Sequence, residues 1–259
     1  MRIWEKQVVI ITGACGDIGK ATAFAFAKHG AYLALNDLIP ESGASALMQQ
    51  IDQLGGKSIY VSGDVSNRKA VDHLVGSTVE RFGGVDICIG NAGIVKPSSF
   101  LDTSEENWNH HLSVNLNGCF YVGQAAAKTM VTAGKPGKVI FVSSWVQDVP
   151  WENLTPYCVA KSGLKMLAQC MALELAVHKI TVNLVAPGFV NAGLSGRLFK
   201  ENPGLIDEAI KLVPLGYLMS AGDVAAAIEL LCSSGAEYMT GTTLLVDGGN
   251  SLFFRPKNT

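Results

Sequence analysis

Charge is scarce in this chain. Only 16% of its 259 residues are Asp, Glu, Lys or Arg, and the formal net charge is −2. Binding to a nucleic-acid backbone needs a concentrated cationic surface that releases counterions, and no basic run supplies one. Long apolar runs are missing as well. No stretch reaches the roughly 18 residues of a membrane span, and small residues and charges interrupt even Leu164 to Val177. The opening residues Met1 to Gln7 lead into a short apolar run, Val8 to Thr12, without the apolar core and cleavage site of a signal peptide, so a cytoplasmic location is expected. Six cysteines lie far apart and never form Cys-x-x-Cys, which reads as small buried hydrophobes in a reducing compartment. The five histidines, including the adjacent His110 and His111, combine with cysteine or carboxylate at no zinc spacing. No metal site is expected.

Hydrophobic residues, by contrast, make up 48% of the chain, enough for one large buried core. Strand-like runs recur at Val8–Thr12, Tyr32–Asn36, Ser58–Val61, Ile87–Gly90, Lys138–Val142, Thr181–Val185 and Thr243–Val246. Alanine-rich periodic segments lie between them: Lys20–His29, Ser42–Leu54, Lys69–Arg81, Trp108–Met130, Tyr157–His178 and Gly222–Leu231. Unalternated apolar strands separated by helix-length segments predict an α/β fold, a single doubly wound Rossmann-type domain over residues 1–259 with a mainly parallel seven-stranded sheet. Two longer irregular stretches, Asn91–Ser104 and Pro187–Pro203, belong beyond the carboxyl ends of strands, where open α/β sheets form their ligand crevice. The region 188–215 is expected to be a mobile loop on the substrate side.

At the first strand–helix junction stands Thr12-Gly13-Ala14-Cys15-Gly16-Asp17-Ile18-Gly19. Glycines at such a junction let backbone approach a pyrophosphate at a helix N-terminus. The run departs from Gly-x-Gly-x-x-Gly and is taken as a form of Gly-x-x-x-Gly-x-Gly. Asp37 follows the second strand, where a carboxylate can bind the adenosine ribose hydroxyls and would repel a 2′-phosphate; neither Cys15 nor Leu38 supplies a compensating positive charge. NAD is therefore expected rather than NADP. Tyr157 and Lys161 form Tyr-x-x-x-Lys on one helix face, with Pro156 in the first turn. A nearby ammonium favours phenolate and lowers a tyrosine pKa, giving an acid/base usable near neutrality. Ser143-Ser144 lies just past the Lys138–Val142 strand and can return to the Tyr157 side of the crevice, or simply cap a turn.

These pieces, with Asp64-Val65, Asn91-Ala92-Gly93, Asn115 and Pro187-Gly188, resemble the short-chain dehydrogenase/reductase family over essentially the whole length. The resemblance implies a catalytic set of Asn115, Ser144, Tyr157 and Lys161: tyrosine for proton transfer, serine to orient the reacting oxygen, lysine on the nicotinamide ribose, asparagine in a water-linked relay. It implies cofactor contacts at Gly13, Cys15, Asp17, Ile18, Gly19, Asp37, Leu38, Asp64, Val65, Asn91, Ala92, Gly93, Pro187, Gly188 and the backbone near Val190. It also implies self-association through long helices, with a homotetramer expected and a dimer the alternative. Two departures stand out: Gly90 replaces the first of two asparagines common before Ala-Gly, and Ala192 replaces a threonine that commonly holds the nicotinamide carboxamide, with Ser195 a possible substitute.

For the substrate, the stretch from Ser144 to Trp151 resembles that of bacterial glucose 1-dehydrogenases, which oxidise an aldose to a lactone. Gln147 is then expected to bind sugar hydroxyls, and Trp145 or Trp151 to cover a sugar face or pack in the core. Lys96, Arg197 and Lys200 would attract an acidic sugar if they converge on the pocket. Two other readings stay open: a 3-oxoacyl thioester reductase or other secondary-alcohol dehydrogenase with the same tyrosine chemistry, and a nucleotide-binding regulator on the same fold. The Phe253-Phe254 tail is assigned to an interface, to a pocket or to burial against its own subunit.

Overall fold

The computed structural model describes residues 3–193, 196, 199, 202 and 204–252. Among them the strands are β1 (Val8–Thr12), β2 (Tyr32–Asp37), β3 (Lys57–Ser62), β4 (Ile87–Gly90), β5 (Gly137–Val142), β6 (Ile180–Pro187) and β7 (Thr243–Val246). The helices are α1 (Asp17–Lys28), α2 (Glu41–Gln53), α3 (Arg68–Phe82), α4 (Glu105–Leu112), α5 (Gly118–Thr132), α6 (Thr155–Leu175), α7 (Gly204–Lys211) and α8 (Ala221–Cys232). The seven strands pair in parallel in the order β3-β2-β1-β4-β5-β6-β7. This is the single Rossmann-type α/β domain expected from the sequence.

The strand residues show why both faces must be covered. All five residues of β1 are buried, and the period of two sends Val9 and Ile11 to one face and Ile10 to the other. Val9 and Ile11 join Phe26, Leu33, Ile51 and Ile228 in a core closed by α1, α2 and α8. Ile10 joins Cys88, Val122, Phe141 and Leu164 in a second core closed by α3, α5 and α6. β1 is flanked by β2 on one side and β4 on the other, so the strand order reverses there and a crevice opens beyond the strand ends.

Two segments differ from expectation. The single helix expected over Trp108–Met130 starts earlier, at Glu105, where the Ser104 hydroxyl accepts the Asn107 N–H, and is interrupted by a π-helical turn at Ser113–Asn117. Within the region 188–215, residues 204–211 form α7, whose Ala209 is buried.

Candidate active site

The glycine-rich turn is held from both sides. The Thr12 hydroxyl accepts the backbone N–H groups of Asn91 and Ala92, each at 3.1 Å. The Asn91 side-chain amide donates to the carbonyls of Thr12 and Gly13, at 3.0 and 3.1 Å. Asn91 thus ties the end of β4 to the turn. Gly19 must be glycine: a Cβ there would overlap the Gly13 carbonyl oxygen and stand 2.7 Å from Ala14 Cα, both fixed backbone. Set residue by residue against Gly-x-x-x-Gly-x-Gly, the turn needs a correction. Its glycines fall at 13, 16 and 19, so Asp17 occupies the place of the middle glycine. The Asp17 carboxylate accepts the N–H of Gly193 at 2.7 Å.

Asp37 closes the other end of the cleft. Its two carboxylate oxygens accept the backbone N–H groups of Cys15 at 2.9 Å and Leu38 at 2.8 Å, which fixes the group at the cleft wall. Burial, and then the Asp37 charge, push the Cys15 thiol up, so it stays a neutral wall atom. The Asp64 carboxylate accepts the Ser66 N–H at 2.8 Å, which orders the Asp64-Val65 corner. From Gly13 to Val190, every position expected at the cofactor lines this one cleft, of about 540 Å³. The residues therefore fit a dinucleotide: close backbone at the turn, a fixed carboxylate at one end, and Ser144, Tyr157 and Lys161 at the other.

The expected catalytic side chains Ser144, Tyr157 and Lys161 lie beyond β5. Pro156 stands in the first turn of α6, followed by Tyr157, and Lys161 comes one turn later. The Ser144 hydroxyl accepts the Val146 N–H at 3.4 Å and lines the same end of the cleft as the Tyr157 phenol. Lys161 is buried; its Nζ donates to the Val142 carbonyl at 2.8 Å and lies 5.6 Å from the centroid of the Tyr157 ring. The electrostatics differ from the expected lysine-driven lowering. Burial pushes the Tyr157 phenol up to about 12, and the group that pulls it back is Ser144. Burial also lowers the Lys161 pKa. Asn115 sits in the π-helical turn and is fully buried. Its carboxamide accepts the Ile94 N–H at 2.9 Å and donates to the Ile94 carbonyl at 3.0 Å, holding the loop behind Gly93. A π-turn at such a place is a frequent mark of a functional site.

At the substrate end, Trp145, Trp151 and Phe189 form one cluster of tilted and edge-on rings, with centroids 5.1–5.7 Å apart. All three line the cleft, together with Ile94, Val95 and Leu154. Phe189 and His110, which also lines the cleft, were missed at the sequence level. Phe189 directly follows Pro187-Gly188, a sufficient signal; His110 carried none beyond its pairing with His111. Gln147 does not line the cleft. It is buried, accepts the Ser143 hydroxyl at 2.7 Å, and donates to Asp148 at 3.1 Å and Thr243 at 3.4 Å. A carboxamide engaged on both ends inside the fold is not presented to a sugar, which corrects the expectation for this residue. Lys96 also lies off the cleft lining, its backbone N–H bound to His111 Nε2 at 3.1 Å. Ser195, Arg197, Lys200, Phe253 and Phe254 lie outside the described residues. Among the described residues, no group of three His, Cys, Asp or Glu could hold a metal ion, and no helix is long and apolar enough to cross a membrane.

Known proteins are similar to this chain. The sequence model of a family described as enoyl-(acyl carrier protein) reductase matches residues 13–251. A 3beta-hydroxysteroid dehydrogenase 1 from Eggerthella lenta is 36% identical over 249 residues, covering 96% of this chain and 95% of that protein. An L-rhamnose 1-dehydrogenase (NAD(P)(+)) from Sphingomonas sp. is 37% identical over 250 residues, 96% of this chain and 98% of that one. The crystal structure of a short-chain type dehydrogenase/reductase from Mycobacterium marinum superposes with a TM-score of 0.90 at 29% identity, covering 96% and 97% of the two chains. Fold and site together define an NAD(P)-dependent oxidoreductase. The chain belongs to the short-chain dehydrogenase/reductase family.

Proposed function

We propose that this enzyme is an NAD-dependent dehydrogenase acting on a secondary alcohol carried by a ring, with the aromatic wall of Trp145, Trp151 and Phe189 against one ring face. The observation that carries this reading is that Ser144, Tyr157 and Lys161 line one end of the cleft beside the aromatic wall. A substrate oxygen arriving there meets two hydroxyls. Ser144 donates to it and fixes its place, and Tyr157 takes the carbinol proton during oxidation or returns it during reduction. Lys161, whose Nζ is held by the Val142 carbonyl and lies 5.6 Å from the Tyr157 ring centroid, is placed to hold the nicotinamide ribose beside the phenol. Bound NAD supplies the hydride acceptor. Asp37 supports NAD over NADP: its carboxylate, fixed by two backbone amides, would sit against a 2′-phosphate.

An aldose oxidised at its anomeric carbon is the second reading. The aromatic wall favours it insofar as a pyranose has one apolar C–H face, and one relative's name specifies L-rhamnose. The other relative's name specifies a hydroxysteroid, a broader apolar ring system that fits the same wall with fewer unpaired hydroxyls. Self-association is proposed through the exposed apolar face of α6, where Val159, Met166 and Leu173 recur at spacings of seven. The test is NAD reduction across cyclic alcohols, hydroxysteroids and neutral and acidic aldoses. The reading requires turnover of ring alcohols that falls by about 10²–10⁴-fold in Tyr157→Phe. Activity confined to 3-hydroxyacyl thioesters, or unchanged turnover in Tyr157→Phe, refutes it.

A further inference from the structure

Two lips of the cleft are bridged by the Asp17 side chain. One lip is the glycine-rich turn, Gly13 to Gly19; the other is the segment Pro187 to Gly193 that leaves the end of β6. The second lip is fastened to the body of the protein along one side. Asn191 N–H donates to the Met219 carbonyl at 2.8 Å, Met219 N–H donates to the Phe189 carbonyl at 3.2 Å, and Val190 pairs with Met219 in an isolated bridge. Across the cleft mouth its tether is the 2.7 Å bond from Gly193 N–H to the Asp17 carboxylate, 176 residues away in sequence. Gly193 takes a φ of +58°, a conformation that disfavours any other residue and aims its amide at α1. Its neighbour Ala192 lines the cleft with a methyl group, which offers a bound molecule no hydrogen bond.

We propose that Asp17 is a positioning residue that latches the 188–193 segment to the glycine-rich turn, so that a dinucleotide leaves only when this bond opens. The inference rests on the reading of the cleft as an NAD(H) site. A carboxylate at this position has two separable properties. Its charge opposes the pyrophosphate that the turn is built to receive, whereas its oxygen holds the opposite lip in place. The latch assigns the larger effect to the oxygen.

The test uses the full-length enzyme and measures NADH release by stopped-flow fluorescence, with hydrogen exchange of the peptide containing Gly193 followed without cofactor. Asp17→Ala and Asp17→Gly remove the acceptor, and each is expected to speed NADH release about fivefold, the effect of one exposed charge-assisted hydrogen bond. Exchange at the Gly193 amide should rise by a similar factor. Asp17→Asn keeps an acceptor oxygen without the charge and should hold release within about twofold of the parent. Slower release or tighter binding in all three variants would mean that repulsion dominates, and overturns the latch. A lower melting temperature with unchanged release and unchanged Gly193 exchange assigns Asp17 to the stability of α1 alone, and also overturns it. Absence of saturable NADH binding in the parent enzyme refutes the reading of the cleft itself. Normal parent binding with unaltered release in Asp17→Ala refutes only the latch.

Discussion

Gly90 replaces an asparagine common in the family, and returning that side chain should weaken the protein. Gly90 ends β4 and pairs in register with Phe141 on β5. A Cβ on Gly90 would stand 2.7 Å from Phe141 Cδ1 and 3.1 Å from Cε1. The ring is enclosed on its far side as well. A Cβ on Gly123, at the ring's other contact, would be 2.8 Å from Cζ, and Phe141 is fully buried. Gly90→Ala therefore sets a backbone gain of about 0.5–1 kcal/mol against an overpacking cost of about 1–3 kcal/mol. The difference leaves a net loss of up to about 2.5 kcal/mol, centred at about 1 kcal/mol, which corresponds to a fall in Tm of roughly 2–4 °C for a chain of this size. Gly90→Asn carries the same clash and buries a carboxamide, adding about 1–3 kcal/mol if the amide finds no partner.

The assay is thermal and urea unfolding of Gly90→Ala, Phe141→Leu and the double variant. Because the alanine and the ring compete for one space, the double variant should be less destabilised than the sum of the singles by about 1 kcal/mol. A Gly90→Ala protein as stable as the parent, or strict additivity in the cycle, would show that the ring moves aside freely and would refute the reasoning.

Three further outcomes follow from the site. Ser144→Ala removes the neighbouring hydroxyl that lowers the Tyr157 pKa, so the phenol rises further and the limb of alcohol oxidation that depends on phenolate should move to higher pH; an unmoved or acid-shifted limb in the pH–rate profile contradicts this. Gln147→Ala should leave the substrate KM within about twofold and instead lower stability by about 1–3 kcal/mol, since it strips a partner from the buried Ser143 hydroxyl. A large KM change with unchanged Tm would return Gln147 to the substrate. Asp37→Ala should raise the NAD dissociation constant about tenfold, the worth of a charge-assisted hydrogen bond, while narrowing the preference over NADP in direct titrations; undiminished discrimination would place selectivity elsewhere.

How much of this was legible in the sequence follows from the range of each constraint. The strands were readable to within about two residues because continuous burial on both faces leaves continuous apolar runs, as in Val8–Thr12. The cofactor end was readable because backbone approach forbids a side chain at Gly19, and that prohibition is written in one position. The π-helical turn was not, since one extra residue per turn hardly disturbs an apolar periodicity. Its Asn115 is held by Ile94, 21 residues away, a contact that no local pattern displays. Gln147 misled for the same reason. Its local setting, a polar residue three places after Ser144, suggests a substrate contact, but Thr243, 96 residues on, helps hold it inside. Tyr157 shows the limit for electrostatics. The sequence displays the lysine one turn away but not the burial that outweighs it, so the sign of the local pKa shift was decided by packing. Asp17 is the sharpest case: the nearby Gly16 satisfies the eye searching for a glycine pattern, and only residue-by-residue placement exposes a carboxylate reaching across the cleft to Gly193. A departure from a motif thus becomes informative once the fold supplies the atom it touches.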